Sequence, residues 1–344
     1  MSIAMVARKS KKRWRAHMGL AFNRRNVLLA VAGIAALGAA GPTQAQEWPN
    51  RDITFIVPYA PGGSTDPISR KFCEILEKEL KVKLIVENKP GASATIGTGA
   101  VVRAAPDGYT IGLGSNSSLA YQPLEMKGLA WKDTDGYQSI VKLADLPSIL
   151  GVPADSRFKT FDDFIAEARK NPGKLKVSVS GLRTTPDLAM QHFNKQSGLR
   201  VTTVPFTGGG GEALLAALGG RVDGSVGFGA TMKGQVDAGK LRVIATFSND
   251  KYFLFPDAKP TGETPWKSAV RTAYYVIAPK GIPQPILDKL FAASKKVLEG
   301  EDFKAFAVAN GYTMDPKFGD DMKKELMDYE RQFKEVNDFL ESAK

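Results

Sequence analysis

The chain has 344 residues, 43% of them hydrophobic, enough for two cores at roughly 150 residues per domain. Its formal charge of +11 is concentrated at the front: residues 1–45 hold eight basic and no acidic residues, and the remainder holds 39 basic against 36 acidic. That near balance gives no electrostatic case for nucleic acid or an acidic membrane surface, and a single cysteine excludes an intramolecular disulfide.

The first 45 residues read as an export signal. A basic stretch is followed by an apolar segment, Val27–Ala40, too short to span a bilayer comfortably, and by small residues ending Thr43-Gln44-Ala45. Cleavage after Ala45 delivers the mature chain to the periplasm. Arg24-Arg25 has the adjacent arginines of a twin-arginine signal, although Asn23 and Val27 depart from its usual flanks. The competing reading of the segment is a membrane anchor.

Ile53–Val57 is a short apolar, β-branched run that predicts a buried strand. Pro58 to Asp66 breaks the periodicity, and Ile68, Phe72, Ile75, Leu76 and Leu80 then recur at helical spacing. Asp66 followed by Pro67 reads as an N-cap and a first helical position. A glycine turn between a strand end and a helix start leaves N–H groups without partners, a ready site for an anion. The alternative is an ordinary βα turn, and the loop lacks the lysine or glycine spacing of a nucleotide site. Cys73, inside this helix beside Phe72, reads as an inert packed thiol.

Lys83–Glu87 predicts a second strand, Ala92–Ala104 a small-residue helix and Tyr109–Gly114 a third strand that delivers Ser115, Asn116, Ser117 and Ser118 to its carboxyl end. Alternation of strands and helices predicts parallel sheets with the ligand outside the strands' carboxyl ends. Ser139–Val152, interrupted by Pro147, reads as two strands crossing between domains. Thr160 to Asp163 resembles a capping box opening a helix over Phe161–Lys170.

The opening design then repeats. Strand Leu175–Ser180, loop Gly181–Thr185 and Pro186 at a helix start, with Thr185 as N-cap, lie about 120 residues after the first such unit. Two helix amino ends, one per half, are thereby expected to face each other across a cleft. Arg183 in the second loop reads either as a bidentate carboxylate partner or as a solvated loop arginine. Val201–Phe206 predicts a strand, Glu212–Leu218 a helix behind Gly208–Gly211, and Val222–Phe228 and Leu241–Phe247 further strands. Phe228 is a candidate apolar wall. Tyr274–Ala278 predicts a returning strand, followed by helices over Ile286–Leu298, Phe303–Asn310 and Asp320–Phe339. His192, the one histidine beyond the leader, reads as a packing or surface residue, with a Ser-His-Asp arrangement left open. No group has the spacing of a metal site, and no cofactor is indicated.

The stretches IVPYAPGGSTD, VENKPGASATIGTGAVVRAAPDGYTIGLGS, VPFTGGGGEALLAALGGRVDGSV and AGKLRVIAT together resemble the substrate-binding proteins of tripartite tricarboxylate transporters, from about Trp48 to the last helix. The resemblance implies a type II periplasmic binding-protein fold: two Rossmann-like α/β domains, residues 47–146 with 270–344 and residues 147–269, joined by a two-segment hinge around a ligand cleft. It implies a receptor for a small organic carboxylate (a di- or tricarboxylate, an acidic amino acid or an aromatic acid), with two integral membrane proteins as partners; the chain itself is expected to be a non-enzymatic monomer that binds no nucleic acid. Carried over by position, it assigns ligand binding to Ala60, Gly62, Gly63, Ser64, Thr65 and Asp66, and to Ser115, Asn116 and Ser117. In the second half it assigns Ser180, Gly181, Arg183, Thr184 and Thr185, with Phe206, Thr207, Gly208 and Phe228 beside them. Arg183 and the paired threonines depart from the family's glycine- and serine-rich second loop and point to a more anionic or bulkier ligand. Trp131 departs from the family's shorter linker. An exported hydrolase or transferase on the same architecture, or a sensor for a membrane regulator, are the alternatives.

Overall fold

A computed structural model describes residues 47–342; the export signal read in residues 1–45 lies outside the described residues. Strands β1 (Ile53–Val57), β2 (Leu84–Asn88) and β3 (Thr110–Ser115) form a parallel set, joined by α1 (Thr65–Leu80) and α2 (Thr95–Val102). After β3 come a π-helical turn at Ser117–Tyr121 and the short α3 (Gln122–Glu125). Helix α1 exists because one face is apolar: Ile68, Phe72, Leu76 and Leu80 are buried in the core that also holds Phe55 and Val57. Cys73 is buried there too, and burial pushes its thiol well above the ordinary range, which suppresses the reactive thiolate.

The second sheet is built alike. Helix α4 (Phe161–Lys170) opens on a complete Thr160–Asp163 capping box. Strands β6 (Lys176–Val179), β7 (Thr202–Pro205) and β8 (Gly224–Gly227) are parallel, and α5 (Thr185–Ser197), α6 (Gly210–Leu218) and α7 (Gly229–Asp237) follow them in turn.

Chain crossings tie the sheets together. Strand β4 (Gln138–Pro147) belongs to the first sheet and β5 (Ile149–Pro153) to the second, with Ser148 between them. After β9 (Leu241–Thr246) and β10 (Lys259–Pro260), the chain returns as β11 (Arg271–Ala278). Strand orders are β2-β1-β3-β11-β4 and β10-β9-β5-β8-β6-β7. The expected all-parallel sheets need correction: β11 runs antiparallel to β3 and β4, and β5 antiparallel to β8 and β9. A strand arriving from the other sheet is not constrained by a helical crossover to run parallel to its neighbours.

Helices α8 (Gln284–Glu299) and α9 (Glu301–Ala309) pack on the first sheet, whereas α10 (Gly319–Ser342) straddles both. Its Met322 and Leu326 share a cluster with Ile56, Tyr275 and Ile277, while Phe333 and Val336 pack with Leu150, Val177 and Phe247 of the second sheet. Trp131, 2% exposed, belongs to the Met322–Leu326 cluster, so its place in the linker is explained as the seat of α10. Among the described residues no helix is long and apolar enough to cross a membrane.

One ionic cluster lies beneath the crossing. Lys142 Nζ, on β4, is 2.6 Å from Asp145, 2.7 Å from Glu325 of α10 and 3.1 Å from Asp315. The three carboxylates surround an ammonium, so the cation between them is Lys142; Lys142 and Asp145 are buried, and Asp315 is half exposed.

Candidate functional site

Residues from both sheets line one cavity. From the first loop come Tyr59, Ala60, Gly63, Ser64 and Thr65, and from the ends of β3 and β11 come Ser115, Thr272 and Tyr274. The second sheet contributes Ser180, Thr184, Thr185 and Pro186, then Gly209 and Gly210, and finally Gly227, Phe228 and Thr231. The two strand–loop–helix units therefore meet across a shared hollow. Its free volume is about 30 Å³, room for a water or two.

Four helix amino ends reach this wall, those of α1, α5, α6 and α7, and in none does a side chain cap the helix. Apart from Thr231, whose N–H bonds Phe228 O at 3.1 Å, the first-turn N–H groups have no intrahelical partner, and the dipoles place partial positive charge at the cavity. The starts differ from expectation by one or two residues. Ser64, not Asp66, precedes α1, and Thr184, not Thr185, precedes α5. Asp66 lies inside the first turn, where it accepts hydrogen bonds from Arg70 (2.8 Å) and Asn88 (2.8 Å) instead of capping.

The wall carries no charged side chain and many hydroxyls. Ser64 Oγ and Tyr274 Oη share a hydrogen bond of 2.6 Å, Tyr59 Oη and Ser115 Oγ one of 3.4 Å, and Thr185 donates to Asn116 Oδ1 at 3.1 Å. Burial pushes the phenols of Tyr59 and Tyr274 above their ordinary value, so both stay neutral and able to donate.

Of the residues expected at the ligand, Ala60, Gly63, Ser64, Thr65, Ser115, Ser180, Thr184, Thr185 and Phe228 are on the wall. The others stand behind it or away from it. Asn116 donates to Arg271 O at 2.8 Å, and Ser117 Oγ lies 3.0 Å from Ser115 Oγ, so both brace the wall. Gly181 accepts from Thr184 Oγ1, and Gly62, with φ of 88°, approaches Gly211 of the second sheet. Phe206 packs on Ala216, Ala217 and Val222, Thr207 is exposed, and the Gly208 N–H is bound by Glu212.

Arg183 requires the largest revision. Its guanidinium lies 3.3 Å from Asp187, which is fully buried, and 3.7 Å from Glu125, while its carbonyl accepts from Gln122 at 3.1 Å. These partners engage the guanidinium, and Arg183, which is not among the residues of the cavity wall, joins α3 to α5. His192 bonds Ser268 at 2.7 Å and meets Gln196 on its other nitrogen, not a carboxylate; burial lowers its pKa, so it is a neutral packing residue.

The residues missed by sequence reasoning are Tyr59, Thr231, Thr272 and Tyr274, with Pro186, Gly209, Gly210 and Gly227 as backbone wall. Thr272 and Tyr274 had a readable signal, since alternate residues of a strand share a face. Thr231 had none: α7 was not predicted, because GATMKGQVD buries only Gly229 and Met232 and carries no helical stripe.

The two sheets are also joined directly. Ser93 Oγ donates to Leu182 O from a turn in which Ala92, Ser93 and Ala94 all have positive φ, of 44°, 54° and 76°. Three such residues in a row are costly, and the bond to the second sheet helps hold them.

Known proteins resemble this arrangement. A Cupriavidus necator protein described as "UPF0065 protein in gbd 5'region" is 34% identical over 288 residues, covering 82% of this chain and 87% of its own. A solved structure described as a periplasmic transporter aligns with TM-score 0.79 at 28% identity, covering 85% of this chain and 97% of its own. An R. palustris protein solved with adipate aligns with TM-score 0.79 at 24% identity, covering 84% and 97%. The model of the "Tripartite tricarboxylate transporter family receptor" matches residues 68–334, and the chain belongs to that family of periplasmic solute receptors.

Proposed function

We propose that the protein is an exported periplasmic receptor that encloses a small organic carboxylate between two lobes and delivers it to a membrane transporter of two integral subunits. The lobes are residues 47–146 with 270–344, and residues 147–269; they move about the β4–β5 crossing and the segment leading into β11. One observation carries the reading: four uncapped helix amino ends converge on a neutral, hydroxyl-lined cavity. Such a site compensates a carboxylate with N–H and O–H donors and needs no lysine or arginine. It holds no histidine, cysteine or carboxylate to act as base or nucleophile, which favours capture over bond chemistry. The adipate held by the R. palustris protein supports an acid as the ligand class.

The hydrogen bonds Ser93–Leu182, Gln122–Arg183 and Thr185–Asn116 all run between the proposed lobes, which supports reading this conformation as the closed one. A ligand of four or more carbons exceeds the free space and enters only as the lobes part. It then stabilises closure by contacting both.

Differential scanning fluorimetry against mono-, di- and tricarboxylates, acidic amino acids and aromatic acids tests this, because a ligand bound by the folded state raises the melting temperature. Gly63→Val is the companion variant. A Cβ at Gly63 meets only Ala60 O at 3.9 Å, so the fold tolerates it, while the isopropyl group occupies the small cavity. The expected outcome is an unchanged melting temperature without ligand and no ligand-induced shift. A Gly63→Val protein that binds acids like the wild type refutes the site.

A further inference from the structure

The Tyr252 hydroxyl crosses from the core of the second sheet to the first. Its ring, 4% exposed, packs in the cluster that holds Ile149, Leu214, Met232 and Phe255. The hydroxyl leaves that cluster and donates to Gly311 O, in the turn after α9. Burial raises this phenol above its ordinary value, so it keeps its proton and remains a donor. The surfaces touch closely here. A Cβ at Gly311 would lie 2.6 Å from Leu254 Cδ2, and one at Gly229, the first residue of α7, 2.6 Å from the same atom. Leu254 is thereby wedged between α7 and the Gly311 turn.

The Gly311 turn is in its own right tied to the cavity. Thr313 and Asp145 exchange backbone hydrogen bonds of 2.8 and 2.9 Å, which fix the turn to β4. Tyr312, fully buried, donates its hydroxyl to Ser64 O, and Ser64 Oγ shares its 2.6 Å bond with Tyr274 on the cavity wall. Two adjacent residues thus take different partners: Gly311 accepts from the second sheet's loop, and Tyr312 holds the loop that opens α1. The contact shares no residue with the Ser93–Leu182, Gln122–Arg183 and Thr185–Asn116 bonds, so it is a separate tie.

We infer that Tyr252 is a positioning residue for ligand retention: its bond to Gly311 forms as the lobes close and latches the support of the Ser64 loop to the second lobe. The inference rests on the receptor reading above. Removing the hydroxyl weakens the closed arrangement and leaves the open one, which the acid enters, unchanged. Tyr252→Phe keeps the packed ring and deletes only the donor, and Gly311 O regains water as the lobes part. One neutral hydrogen bond corresponds to about three- to tenfold in the closing equilibrium.

The test is binding kinetics by surface plasmon resonance with adipate, malate and citrate on the wild type and Tyr252→Phe. The variant is expected to release bound acid about three- to tenfold faster, with the association rate and the ligand-free melting temperature unchanged. An unchanged release rate, or a lower ligand-free melting temperature with affinity intact (a contact fixed in both arrangements), overturns the latch. Spin labels at Lys83→Cys and Lys170→Cys, exposed positions on the two proposed lobes, give a readout independent of any acid, with Cys73 buried out of reach. Tyr252→Phe is expected to depopulate the label separation that matches this structure. If no acid binds the wild type, the receptor reading fails and the label distances alone decide the latch: identical distributions in the two proteins overturn it.

Discussion

Replacing Lys142 with Met removes the centre of the buried ion network. The ammonium is 1% exposed and lies 2.6–3.1 Å from three carboxylates. Asp315 and Glu325 keep Lys317, at 3.2 and 2.8 Å, but Asp145 keeps nothing: its side chain is 6% exposed and its Oδ1 already has no partner. Breaking a buried pair from one side costs about 3–5 kcal/mol. The loss is pH-dependent. In the native protein burial outweighs Lys142 and pushes Asp145 from 3.8 up to about 6, and a carboxyl with a raised native pKa gains stability as pH falls through that value and loses it as pH rises. That gap is already present in the wild type, and losing Lys142, which lowers the Asp145 pKa, raises it further, so the variant gains more stability than the wild type as pH falls. The variant is therefore expected to be about 3–5 kcal/mol less stable than wild type at pH 8 and to recover much of that at pH 5 as Asp145 takes a proton. Urea unfolding followed by tryptophan fluorescence measures both. A Lys142→Met protein within about 1 kcal/mol of wild type at pH 8, with no pH-dependent recovery, refutes the assignment of Lys142 as the compensating charge.

Arg183→Ala is expected to leave acid affinity within threefold of wild type, since the guanidinium faces Asp187 and Glu125. It costs about 1–3 kcal/mol of stability because the fully buried Asp187 loses its guanidinium partner and keeps only the backbone N–H of position 183 and the Gln191 amide. A large loss of affinity in calorimetry with stability intact returns Arg183 to the ligand. Trp131→Ala removes the seat of α10 and is expected to cost about 3–5 kcal/mol in urea unfolding, the range for a buried tryptophan; a loss below 1 kcal/mol counts against that packing role. Cys73 is expected to resist a thiol reagent in the folded protein and to react once unfolded, so prompt labelling under native conditions contradicts its burial.

Much of this architecture was legible in the chain alone. The apolar run of β1, the helical spacing of Ile68, Phe72 and Leu76, the Thr160–Asp163 capping box and the second strand–loop–Pro186 unit are local signals, written in neighbouring residues. So were the proline break at the crossing and the two glycine- or threonine-edged loops that meet at the cavity. What the residues could not announce was anything decided across distance. The antiparallel entry of β5 and β11 depends on which sheet each strand returns to, and the straddling of α10 on two cores meeting under one helix. Arg183 illustrates the point most clearly. A loop arginine beside a helix start attracts an anion on paper, but Glu125, 58 positions earlier, and Asp187 reach it first. Likewise Tyr252 is unremarkable in the sequence and becomes informative only when packing carries its hydroxyl to Gly311, 59 positions later. Periodicity and capping act over a few residues and therefore determined the elements; desolvation and charge pairing act between elements brought together in space, and only the tertiary structure decided them.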